Sequence, residues 1–298
     1  MLKYYLLLLF IIFFSDCKKE EDKIIYLDDV KSIKITDNIS IDNGIKIHDP
    51  VFNYITYDKF LNHLSSSDRF LIVQQKDLEK TTSKDKIIIS IRHDVDDNIN
   101  SAVRFAYLEK KHGIKSTYFI LHSAKYYGDT GVNYFKRDEN IIYFMKKIQD
   151  SFGQEIGFHN DLVTLQVVYN LDSKKFLKNE LEWLRSNDIS ILGSAYHGSE
   201  YCDIYHYVNA YFWTEYTTGG GAFYNFENVP KDGQLIHIEK DSYLNYNLEY
   251  ESGLLKTDYF FADCFWPDGK RWNMGMVNFD TIQPGKKVVI LLHPQHWD

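Results

Sequence analysis

The 298-residue sequence predicts an α/β fold built on parallel strands, and three observations carry that expectation. Strand-like and helix-like segments alternate from about residue 84, three strand-helix units follow one another in succession, and four strands end in Asp or His. Successive units of this kind imply right-handed crossovers, and so an α/β barrel or a doubly wound sheet.

The first strand is the Ile-rich run Lys86 to Ile91, which ends in the polar cluster Arg92-His93-Asp94-Val95-Asp96-Asp97. Ala102, Phe105, Ala106 and Leu108 then mark a helix stopped by Gly113. Ser116 to Leu121 is the second strand. Ile141, Phe144, Met145 and Ile148 have helical spacing within Asn140 to Phe152, before Gly153 and a third strand, Glu155 to His159. Lys174 to Arg185 is the next helix and Ile189 to His197 the fourth strand. Between Gly198 and Lys256 the three glycines Gly219 to Gly221 and many tyrosines break any period, and Lys287 to Leu292 forms a last strand that Pro294 prevents from continuing.

Ahead of this region stand Met1-Leu2-Lys3, eleven apolar residues from Tyr4 to Phe14, and the charged stretch from Lys18. A positive start and a short apolar run describe a secretory signal, because a membrane span needs roughly 20 apolar residues. Cys17 follows that run and resembles the lipid-accepting cysteine of a bacterial lipoprotein signal, with Phe14 and Asp16 departing from the usual residues. The expected organisation is a signal over 1–17, a tether and N-terminal extension over 18–83, and a catalytic domain over 84–298. The expected location is extracytoplasmic, membrane-anchored through Cys17, with secretion or a periplasmic location as the alternatives. Within the extension, Phe60, Leu61 and Leu64 have helical spacing and Phe70 to Val73 reads as a strand or the end of a packed segment.

Composition narrows the partners. With 44% hydrophobic and 16% aromatic residues the chain can bury a large core. A net charge of -8, from 34 basic and 42 acidic side chains without a basic stripe, argues against nucleic acid. Cys202 and Cys264 stand outside metal-ligand spacing, which leaves a structural role or a disulfide in an oxidising compartment.

Strand alternation places Ser90, Arg92, Asp94 and Asp96 on one face, at the end of a strand where parallel α/β folds carry catalytic groups. The competing reading is a solvated loop in which Asp97 and Asn98 cap the next helix. His159, His197 and His293 repeat the strand-end position, and an Asp with two His and an open fourth position suits zinc or a similar divalent ion.

Four segments in order, Arg92-His93-Asp94-Val95-Asp96, Ser116-Thr117-Tyr118-Phe119, Glu155-Ile156-Gly157-Phe158-His159 and Leu291-Leu292-His293-Pro294, resemble the polysaccharide deacetylase (NodB-homology) family, in a divergent branch with a His-Asp-Val-Asp first motif. The resemblance covers roughly residues 84 to 298. It implies a distorted (β/α) barrel of about seven strands, a divalent metal, usually zinc, and hydrolysis of N- or O-acetyl groups on a sugar polymer. Position by position it implies that Asp94 is the general base, Asp96 and His159 are metal ligands, His293 protonates the leaving group, and Asp263 orients His293.

The sequence departs from the family pattern at two places. Val95 splits the usual paired Asp, which makes the base and ligand roles of Asp94, Asp96 and Asp97 exchangeable. Val163 stands where the second metal His belongs, so His197 is the expected replacement ligand, with Asp161 second. Tyr201, Tyr205, Tyr207, Tyr211, Phe212, Trp213, Tyr216, Trp266 and Trp272 are candidates for stacking on sugar rings or for the core. The rival functions are a catalytically inactive glycan-binding or assembly lipoprotein, a metal-dependent C-N hydrolase of a small molecule, and a purely structural surface lipoprotein.

Overall fold

Parallel pairing organises the molecule. The computed structural model describes residues 53–217, 227–263 and 277–297. In chain order it contains α1 (Tyr54–Ser66), β1 (Phe70–Ile72), α2 (Gln75–Leu78), β2 (Ile87–Val95), α3 (Ile99–Lys111), β3 (Thr117–Leu121), and a hairpin of β4 (Gly128–Gly131) and β5 (Tyr134–Arg137). Then come α4 (Ile141–Lys146), β6 (Glu155–Asn160), α5 (Leu162–Val167), α6 (Ser173–Ser186), β7 (Ile191–Tyr196) and α7 (Glu200–Tyr205). A second hairpin, β8 (Asn228–Lys231) with β9 (Gln234–His237), precedes β10 (Tyr250–Glu251), β11 (Tyr259–Ala262) and β12 (Lys287–Leu292).

The main sheet runs β10-β7-β6-β3-β2-β12-β11, every pair parallel. From β2 the strands follow chain order around the curl to β10, and β11 and β12 return to the other edge of β2. The result is a curled half-barrel of seven parallel strands, the distorted (β/α) barrel expected. β1 adds an eighth strand beside the N-terminal half of β2, pairing Phe70 with Ile87. The part of the extension from residue 53 to 83 therefore contributes α1, β1 and α2 to the same body as the barrel.

β2 is buried along its whole length because it is covered on both faces. One face, with Ser90, Arg92 and Asp94, looks into the barrel, where Ser90 meets Gln75 and Arg92 meets Ser252. The other carries His93 against the helical layer, with its ring stacked on Tyr118 at 4.3 Å and edge-on to Phe105 at 5.4 Å. Two glycines make room inside the barrel. A Cβ on Gly157 would lie 2.4 Å from the Phe119 ring, and one on Gly193 would lie 2.0 Å from the Tyr250 ring. β7 carries one extra residue between Ile191 and Ser194 relative to β6, a bulge that sets the register of everything after it.

Helix α3 shows how local sequence and packing agree. Asn98 caps its N-terminus by accepting from the N–H groups of Asn100 and Ser101, and Gly113 leaves the helix at a φ of 68°. Its inner face ends in Glu109, which is fully buried and accepts from Tyr57, Ser116 and Tyr118, with His93 Nε2 at 2.6 Å. Tyr57 comes from α1 and also stacks on Phe105 at 4.0 Å. The extension is thus fastened to the barrel by a polar cluster wrapped in aromatic rings.

Several expectations shift in detail. The polar cluster after the first strand lies inside β2 as far as Val95, since its side chains have partners on both faces. The helix read over Asn140 to Phe152 is α-helical only to Lys146, and the π turn Lys147–Ser151 follows. The stretch from Gly198 to Lys256, where no period was legible, holds α7, the second hairpin and β10. The expected signal with Cys17, the expected tether as far as residue 52, Gly219 to Gly221, Cys264, Trp266 and Trp272 lie outside the described residues. Among the described residues no helix is long and apolar enough to cross a membrane.

The fastening through Glu109 has a measurable consequence. Tyr57→Phe removes one donor to a buried carboxyl and should lower unfolding stability by about 1–3 kcal/mol. Urea denaturation at unchanged m-value checks it, and wild-type stability would show that α1 is not held through this bond.

Candidate metal centre

All strands of the main sheet point the same way, so their C-terminal ends open on one side. Asp94 is the eighth residue of β2 and Asp96 follows its end. His159 is the fifth residue of β6, and His197, Asp263 and His293 are the first residues after β7, β11 and β12. The curl of the sheet gathers these six side chains.

Asp96, His159 and His197 each offer a ligand atom, all within 4.8 Å of one another. Asp96 Oδ1 lies 3.1 Å from His159 Nε2 and 3.4 Å from His197 Nδ1. His159 donates Nδ1–H to the Ala195 carbonyl at 2.8 Å, which orients Nε2 towards the carboxylate. Asp96 Oδ1 is buried without a geometrically sound hydrogen bond. A carboxylate oxygen and imidazole nitrogens this close to one another could share a cation between them. The donor set, one carboxylate oxygen and two imidazoles, fits a divalent ion of the zinc type with a position left for solvent or substrate.

The charges respond to this crowding. Burial works against ionisation of Asp96, yet His197 and His159 hold its carboxyl well below the usual range. Burial also works against a charged His197, but Asp96 outweighs it and raises the imidazole to about 9.

Asp94 sits beside this group, its Oδ2 3.5 Å from His159 Nε2. Arg92, two residues earlier on the same strand face, grips it with a bidentate pair, Nε to Oδ1 at 2.7 Å and Nη2 to Oδ2 at 2.6 Å. Burial opposes the charge, and Arg92 and then His159 keep Asp94 below the ordinary carboxylate range. Beneath them Glu251 accepts from Ser194, Trp213 and the Tyr196 N–H, and burial raises its carboxyl.

His293 closes the arrangement, with Nε2 3.6 Å from Asp96 Oδ2 and Nδ1 2.6 Å from Asp263 Oδ1. The second Asp263 oxygen accepts from the His293 backbone N–H at 2.9 Å and from Trp297 Nε1 at 2.8 Å. Burial opposes the charge on Asp263, yet its hydrogen bonds, that from His293 foremost, hold it below its ordinary range, and the Asp263 hydrogen bond outweighs burial to raise His293 to about 9. Asp263, His293 and His296 also cluster closely enough to bind an ion. Their hydrogen bonds already use both Asp263 oxygens, which makes that cluster an anchor for the His293 ring.

The alternatives left open by the sequence resolve as follows. Asp97 is exposed and stands outside both clusters, and Asn98 is the helix cap. Asp161, second choice for the replacement ligand, is buried with both oxygens occupied, by Thr164, Asn209 and Ser123. Val163 is fully buried on α5. Tyr207, Tyr211, Phe212 and Trp213 are buried in the core and have no face for a sugar, whereas Tyr201, Tyr205 and Tyr216 are partly exposed. Cys202 is a buried free thiol among the described residues.

Arg92 was visible on the right strand face but carried no role until its reach was known. Glu251, Trp297 and Asn209 gave no signal, because each acts through contacts far along the chain. Compared with known proteins, the chain matches no family model and no curated sequence.

Two measurements test this centre. Elemental analysis should find about one divalent ion per chain in the wild type and in Asp97→Ala, and a loss in Asp96→Ala, His159→Ala and His197→Ala. The second is pH dependence. Without metal, His197 keeps its proton up to about 9, and a ligand needs the lone pair, so binding releases that proton. Zinc affinity in chelator-buffered titrations should therefore rise about tenfold per pH unit from neutrality towards 9 and level off above it. A flat profile would exclude His197 as a proton-releasing ligand.

Proposed function

We propose that the protein is a metal-dependent hydrolase that removes N- or O-acetyl groups from a cell-surface or extracellular polysaccharide. The observation that carries this reading is the meeting of a carboxylate base, a metal-competent Asp-His-His group and a carboxylate-backed imidazole at one end of a parallel barrel. The ordered resemblance to polysaccharide deacetylases supports the substrate class, since the fold alone does not specify it.

Hydrolysis of an acetyl group needs a base for water, an electrophile at the carbonyl and an acid for the leaving group. Asp96, His159 and His197 would hold the ion, and a divalent ion in that seat supplies Lewis-acid activation of the carbonyl and of water. Asp94, kept ionised and oriented by Arg92, takes the proton from the attacking water. His293 holds a proton at neutral pH, because Asp263 fixes its Nδ1–H side, and Nε2 faces the site to protonate the departing nitrogen or oxygen. Arg92 remains cationic beneath Asp94, so the base is held without sharing its proton.

The proposal extends to place. A lipid anchor at Cys17 with a charged tether would present the barrel outside the cytoplasm, where acetylated glycans are the available substrate.

Acetate release from acetylated glycans by the metal-loaded enzyme tests the reading. Asp94→Asn and His293→Ala should each lower kcat by about 10²- to 10⁴-fold while leaving bound metal in place. Release from small amides but from no glycan would redirect the activity to small-molecule C-N hydrolysis, and metal binding without hydrolysis of either would favour a glycan-binding role.

A further inference from the structure

His197 stands outside the strand that delivers it. β7 ends at Tyr196, and the exposed Gly198 follows, so the sheet ladder alone does not fix the direction of the His197 side chain. Both peptide groups of His197 are nevertheless tied. Its N–H donates to the Asn160 carbonyl at 2.8 Å, and its carbonyl accepts from Asn209 Nδ2 at 2.9 Å.

Asn209 is fully buried and joins the two segments that define this corner of the site. Its Oδ1 accepts from the N–H groups of Val163 at 3.0 Å and Thr164 at 3.1 Å, which completes the open start of α5. Its Nδ2 also donates to Asp161 Oδ1 at 2.8 Å, and its own carbonyl accepts from Asn160 Nδ2 at 3.1 Å. One amide thus clamps the helix that carries Val163 to the turn that carries His197.

We infer that Asn209 is the positioning residue of the metal centre, acting through the His197 backbone so that His197 can serve as the third ligand in this barrel. The inference rests on Asp96, His159 and His197 being metal ligands. Groups that orient ligands typically contribute 10- to 100-fold to metal affinity.

The test is a zinc and cobalt(II) titration of the full chain as wild type, Asn209→Ala and Asn209→Asp, each also in a His197→Ala background. Asn209→Asp keeps the acceptor for α5 and loses the donor to His197. Its added negative charge would by itself favour a cation, so weaker binding there reports lost positioning. The expected result is about 10- to 100-fold weaker zinc binding in either single variant, an altered cobalt(II) absorption spectrum, and no further loss when His197 is already Ala. Wild-type zinc affinity in a folded Asn209 variant, or an equal loss in the His197→Ala background, would overturn the inference. Absence of metal from the wild type would overturn it together with the metal reading itself.

Discussion

The parallel pairing of β12 with β2 is the constraint on which the rest of the site depends. It sets Leu292 opposite His93, so His293 leaves the last strand level with the Asp94 to Asp96 turn. No local preference could bring these segments together, since they lie near opposite ends of the described chain. β2 takes hydrogen bonds from β12 on one edge and from β1 and β3 on the other, and it is buried throughout. A strand so enclosed can hold Arg92 and Asp94 as a desolvated pair, because its neighbours supply the partners that buried charges require.

A second layer of polar contacts gives the site its precision. Ala195 orients the ring of His159, Asp263 fixes the ring of His293, and Arg92 fixes Asp94. Trp297 connects two of these layers: its indole N–H holds Asp263, and its ring meets Tyr57 and Phe105 edge-on at 5.7 and 6.0 Å. Tyr57 belongs to α1, so the extension before the barrel touches the framework that orients His293. Packing and chemistry are linked here by a few side chains.

Much of this was legible in advance, and for a definable reason. Lys287 to Leu292 and Ser173 to Ser186 lie where their patterns put them, because a buried strand and an amphipathic helix impose strong local signatures. The strand-end residues Asp94, Asp96, His159, His197 and His293 were also legible, since a chemical residue closing an apolar run is a local pattern. The stretch after Gly198 was not, because its short elements are stabilised by distant partners: β10 has two residues, and Trp213 is buried against Glu251 through its indole N–H. Of its aromatic residues, which suited either sugar or core, Tyr207, Tyr211, Phe212 and Trp213 proved to be core.

The sequence alone determined the class of fold and the types of group available to the site, because both follow from local periodicity and from which residues end each strand. Only the tertiary structure decided which of these groups meet. It made Asp96 rather than Asp97 the carboxylate facing two imidazoles, occupied both oxygens of Asp161 with hydrogen bonds, and tied the His197 backbone to Asn209. Those outcomes turn on distances of a few ångströms between segments remote in sequence, and such distances are set by how the sheet curls and how its interior packs.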